Sequence, residues 1–236
     1  MNTWVIMKRE LAAFFVSPVA YVVGAAFLFI TGLFFFFTVS LAGLATLAEV
    51  FNVIGVVLLF IAPILTMRLI SEEARSGTLE LLITSPVRDW EVVLGKFLAA
   101  FLFFVALLVP TLYYLFLLTR YGNPDIPVTL SGYLGVILLG GMLLSCGLLT
   151  SALSANQIIA AVLGVALSLF FWMAGALGTA LGESALGNIF EYLAVQNHFT
   201  DFLFGLISTG NIVYFLSVTA GALFLATRVL EVRRWR

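Results

Sequence analysis

Long apolar runs separated by short polar breaks set the rhythm of this chain. Six of them, at about 18–41, 50–69, 94–119, 130–153, 158–181 and 209–228, reach the roughly 20 residues that a membrane-crossing helix needs. The expected fold is an all-α integral membrane protein: one domain over 1–236 with six transmembrane helices. Ahead of the first span, residues 2–16 place Trp4, Met7, Leu11, Phe14 and Phe15 at three- and four-residue steps, with Lys8, Arg9 and Glu10 largely on the other side. That pattern suits an amphipathic interfacial helix, or else an extension of the first span. Ser17-Pro18 argues for a break, since serine caps helices and proline fits the first helical position. Two prolines and a glycine in 121–129 predict a loop, and Ser154 to Gln157 a tight turn. The fourth span carries Gly132, Gly135, Gly140, Gly141 and Gly147, small residues that let helices approach closely where lipid provides no hydrophobic drive.

Between the second and third spans the pattern changes. Residues 71–96 are polar and charge-rich, with Glu72, Glu73, Arg75, Glu80, Arg88, Asp89, Glu91 and Lys96 inside and Arg68 just before. Such groups are costly in lipid, so the segment belongs in water or among headgroups. Ser71-Glu72-Glu73 reads as a cap and two acids at a helix start. Gly77 bends or interrupts the run. Thr78 to Thr84 then sets Leu79, Leu82 and Ile83 on one face, with Glu80 turned away. Ser85-Pro86 starts another helix, whose apolar stripe is Val87, Trp90, Val93 and Leu94; Trp90 and Lys96 suit the interface. From spacing alone this is either an element offered to a partner or a helical hairpin that merely joins two spans.

The connection from 182 to 208 is too long for a turn and too apolar for a solvated loop, with Phe190, Tyr192, Phe199, Phe202 and Phe204. Asn197-His198 divides it into two helix-like halves, either dipping back against the bundle or lying on its surface. His198 is a group able to titrate near neutral pH, or a polar residue at the turn.

Composition sharpens this picture. The chain is 63% hydrophobic and 10% charged, against about 25% charged in a soluble domain. Six spans put Lys8, Arg9, Arg68, Arg75, Arg88, Lys96, Arg228, Arg233, Arg234 and Arg236 at one end and Arg120 at the other. The positive-inside rule then makes both termini and 71–96 cytoplasmic in a multi-pass membrane protein. The one cysteine, Cys146, lies in an apolar span and supports neither a disulfide framework nor a metal site. No phosphate-cradling GxxxxGK[ST] loop, HExxH or GxSxG occurs. The near absence of ionisable residues within the spans weakens the case for an ion-coupled carrier and fits a protein whose energy comes from elsewhere.

The pattern EExxxGTLELLxTSPxxxxExxxGK, carried by Glu72, Glu73, Gly77, Thr78, Leu79, Glu80, Leu81, Leu82, Thr84, Ser85, Pro86, Glu91, Gly95 and Lys96, resembles the signature of ABC-2 type transporter permeases. The opening FFVSPVAYVVGAAFLFITGLFFF is most similar to their gliding-motility-associated branch. The resemblance implies a transmembrane exporter subunit of a prokaryotic plasma (inner) membrane, without its own ATPase site. It implies a separate ABC ATPase subunit as partner, with ATP and Mg bound there and no cofactor bound by this chain. A second permease copy or paralogue would complete a dimer, and an extracytoplasmic accessory protein is a further partner. Glu72, Glu73, Arg75, Gly77, Thr78 and Glu80 would couple to the ATPase; Phe190, Tyr192, Asn197, His198 and Phe202 would gate the outer side. The alternatives are a scaffold for an ATP-driven envelope or gliding machine and an ATP-independent carrier or channel. No catalytic constellation, metal site or nucleic-acid surface is expected.

Overall fold

The computed structural model describes residues 2–41, 43–77, 88–182 and 184–234. They form eleven α-helices and one short 3₁₀ turn, with no strand among the described residues. Helix α1 (Asn2–Val16) is followed by α2 (Pro18–Ser40), with Pro18 at its first position. Next come α3 (Ala48–Thr66) and α4 (Arg68–Ser76). The third span is α5 (Asp89–Leu108), a 3₁₀ turn at Val109–Thr111 and α6 (Leu112–Tyr121). Then follow α7 (Ile126–Leu153), α8 (Gln157–Leu181), α9 (Ala185–Leu193), α10 (Val195–Leu203) and α11 (Thr209–Arg234). Six helical segments are long and apolar enough to cross a membrane, as the sequence pattern predicts.

Helix α7 is the centre of the bundle. In its most apolar stretch 78% of residues are buried, against 22% for α8 and for α11. The glycines explain how. A Cβ on Gly140 would stand 2.1 Å from the Phe104 ring of α5, and one on Gly132 2.3 Å from the Phe51 ring of α3. At Gly147 it would meet Thr66 Oγ1 at 2.2 Å. Each missing side chain makes room for a neighbour's, and van der Waals contact of this kind holds helices together in lipid. The loop before α7 is shorter than the two prolines suggest. Asp125 caps the helix by accepting from the Val128 N–H at 3.3 Å, and Pro127 sits in the first turn, where its missing N–H costs nothing.

The joint between α3 and α4 departs from the expected cap at Ser71. The helix is interrupted at Met67 instead, and Ser71 lies inside α4 with its hydroxyl donating back to the Met67 carbonyl. Ser151 Oγ of α7 accepts the Ile70 and Ser71 N–H groups, each at 3.1 Å, and donates to the Met67 carbonyl at 2.9 Å. A side chain inserted into the backbone ladder is a recognised cause of a helix break. Gly77, with φ +73°, closes α4 in the left-handed conformation that glycine adopts without penalty.

At the opposite end, α9 and α10 do not divide at Asn197-His198. The break falls at Ala194, where the backbone is extended, and both polar residues lie within α10. Helix α9 runs antiparallel along the C-terminal end of α8, with Gly178 against the Gly187 and Glu191 backbone and Phe170 against Phe190. Phe199 and Phe202 of α10 are fully buried, the latter against Gly135, whereas Tyr192 and Phe204 stay exposed.

Candidate functional site

Two polar assemblies stand out in this apolar molecule, one at each end. The first ties α1, α4 and α5 together. Helix α1 follows α5 along its length: Ile6 and Thr3 meet Gly95, Glu10 meets Lys96, and Phe14 stacks on Phe103 at 5.1 Å. Gly95 makes this possible, since a Cβ there would lie 2.9 Å from Ile6. The same packing overturns the expected place of Lys96. It is not an interfacial snorkel; only 1% of its side chain is exposed. Its Nζ donates to Glu73 Oε1 at 2.8 Å and Glu10 Oε1 at 3.1 Å. Arg9 Nη2 donates to the same two oxygens, at 3.4 Å and 2.8 Å. Two cations and two carboxylates thus share one knot, and Glu10 turns inward rather than lying with Lys8 on the wet face. Burial of an ammonium is tolerable only with such partners.

Electrostatics agrees with the geometry. Burial pushes the Glu10 carboxyl up, but Lys96, the Arg9 hydrogen bond and the Lys96 hydrogen bond together outweigh it and hold the group below its usual range. The hydrogen bond to Glu10 raises the Arg9 guanidinium further above its already high value. Beside the knot opens a pocket of about 380 Å³ lined by α1, α4 and Lys96, with Arg68 and Glu72 on its rim and Arg68 over the Phe14 ring at 5.6 Å.

The coupling residues expected from the sequence therefore fall into three groups. Glu73 is drawn into the knot; Glu72 and Arg75 are exposed on α4, and Gly77 ends that helix. Thr78 and Glu80 lie outside the described residues, as do the Leu79, Leu82 and Ile83 face, the Ser85-Pro86 helix start and Val87. Helix α5 is described from Asp89, its first turn closed by the Arg88 N–H donating to Glu91 Oε2 at 3.0 Å. Trp90 is 47% exposed, while Val93 is buried. Sequence reading missed Arg9, Glu10 and the pairing role of Lys96. The available signal was the position of a lone lysine two residues inside an apolar run, which demands a partner.

The second assembly sits where α9 meets α10. The break at Ala194 leaves carbonyls at the end of α9 without helical partners. Side chains collect them: Asn197 Nδ2 reaches Glu191 O at 3.4 Å, His198 Nε2 faces Tyr192 O at 3.0 Å, and Tyr214 OH donates to Leu193 O at 2.8 Å. His198 also stacks on Tyr214 at 4.1 Å and holds Asn211 Oδ1 at 2.8 Å, while Asn211 donates to Asp201 at 2.8 Å. Of the expected outer residues, Tyr192, Asn197 and His198 come together here. Phe190 stands apart against Phe170, and Phe202 is in the core against Phe215. Asn211, Tyr214 and Asp201 complete the cluster and were not singled out from the sequence. No metal-binding group of His, Cys, Asp or Glu occurs among the described residues.

The family profile of ABC-2 family transporter protein matches residues 44–230, from the loop before α3 to the last turns of α11. No individual curated protein matches the chain. With six helices able to span a membrane and this match over most of its length, the chain belongs to the ABC-2 family as a transmembrane permease component of an ABC transporter.

Proposed function

We propose that this permease couples ATP hydrolysis on a separate ATPase subunit to export of a substrate across a prokaryotic plasma membrane, with both its termini in the cytoplasm. The observation that carries this reading is the attachment of α4. A helix that carries exposed Glu72 and Arg75, yet is pinned through Glu73 to Lys96 of α5 and Arg9 of α1, passes a push to two other helices at once. The ATPase, with its ATP and Mg, docks on α4 and the segment that follows, including Thr78 and Glu80. A second permease copy or paralogue faces the weakly buried spans. The α9–α10 pair dips into the outer leaflet and gates the exit, with Tyr192, Asn197 and His198 at its hinge and Phe190 and Phe202 as its apolar anchors.

The test is purification of the tagged chain from its native membrane in mild detergent, with stoichiometric partners identified by mass spectrometry. We expect an ATP-binding cassette subunit, lost when Glu72→Lys and Arg75→Glu reverse the exposed charges. Glu73 is left intact, because reversing it would break the knot and mimic a docking defect. Recovery of the chain alone, moving substrate in liposomes without nucleotide, would overturn the reading.

A further inference from the structure

The joint at Met67 is a choice between two sets of hydrogen bonds. In a continuous helix the Ile70 and Ser71 N–H groups would bond the Thr66 and Met67 carbonyls. Here both point at Ser151 Oγ of α7, a fully buried hydroxyl, which itself donates to Met67 O. One turn earlier on α7, Gly147 lets Thr66 and Pro63 press against it, so the joint is held from below as well. Pro63 already lacks the N–H that would continue the ladder at that level.

We infer that Ser151 is a positioning residue, a clasp that sets the angle between α3 and α4. Released, its hydroxyl turns to a carbonyl of its own helix, as Ser145 does with Met142 O at 2.7 Å, and the α4 amides close on Thr66 and Met67. The number of hydrogen bonds is nearly conserved, so the two arrangements lie close in free energy. That is what a mechanical joint needs: two discrete positions of α4, each with the Ile70 and Ser71 amides bonded, with α7 sensing which is occupied. The link to nucleotide-driven motion rests on the proposed function; the two positions of α4 do not.

The measurement is a spin-label distance between Arg75→Cys and Ala155→Cys in the full chain, in nanodiscs, with Cys146→Ala as background. Helix α4 is about 14 Å long at 1.5 Å per residue, so a change of about 20° at Met67 moves its tip by about 5 Å. Ser151→Ala is expected to shift the mean distance by that amount, and Ser151→Gly, which removes the hydroxyl together with its Cβ, to shift it the same way. Ser151→Thr, which keeps a hydroxyl, and Ser145→Ala, which removes one bonded only within α7, are expected to retain the wild-type distance. An unchanged distance in both hydroxyl-less variants, or an equal shift in Ser145→Ala, overturns the clasp. None of these readings needs the ATPase, so failure here and failure of the partner purification are separate results.

Discussion

Lys96 shows how one residue alters the reading of its surroundings. Its ammonium is buried, and each of its partners comes from a different helix. Lys96→Met keeps the apolar stem but leaves Glu10 and Glu73 close together with the more exposed Arg9 guanidinium to bridge them. Removing one partner of a buried pair costs about 3–5 kcal/mol, and we expect a loss towards the lower end, since both carboxylates keep some exposure. Thermal unfolding in detergent measures it. The knot also has a pH signature. Because the folded Glu10 carboxyl lies below its ordinary value of 4.5, its contribution is fully present above that pH and is lost as pH falls through the lowered value. Acid titration followed by protease access to α1 is expected to show release only below about pH 4.5. At the other end, His198→Phe keeps a ring to stack on Tyr214 but removes the ring nitrogens that face Tyr192 O and Asn211 Oδ1. It should lower stability by about 1–3 kcal/mol, read in the same unfolding assay.

At the scale of helices, the glycines of α7 are not interchangeable with glycines elsewhere. Gly140→Ala drives a methyl into the Phe104 ring and is expected to cost about 1–3 kcal/mol, with α5 displaced from α7. Gly221→Ala on α11 meets nothing within 4 Å and should be neutral or stabilising by up to about 1 kcal/mol. Unfolding of the two variants side by side separates close packing from helix propensity. The spans and the crowded face of α7 were legible from sequence because apolar length and small residues are local signals. The two breaks were not. Ala194 carries no breaker signature; its extended backbone is sustained by Asn197, His198 and Tyr214, which arrive from later in the chain. Met67 likewise has no proline or glycine beside it, and the hydroxyl that enters its ladder comes from α7. Ser71 and the Asn197-His198 pair looked like boundaries because their residue types favour caps and turns, a preference that long-range partners overrode.

For the molecule as a whole, burial is uneven: α7 forms a hub, while α2, α8 and α11 leave most of their surface uncovered. The end that carries the knot, inner in the proposed orientation, is tied by ion pairs, and the outer end by side-chain hydrogen bonds and stacked rings. Removing residues 2–16 should therefore leave insertion of the six spans intact while weakening the inner end alone. Protease protection of the loops checks insertion, and the α4–α7 spin-label distance checks the inner end. An outer-end change in this variant would contradict that division.

The bond between Glu10 and Lys96 also has a consequence in time. The two residues are 86 positions apart, and the helix that carries Glu10 leaves the ribosome first. At about 5–20 residues per second, Lys96 follows roughly 4–17 s later. Throughout that interval the first helix has no lysine to close upon, and its acid stays hydrated at the membrane surface. Assembly of the knot thus waits on the third span: the segment made earlier docks only once a much later one has arrived.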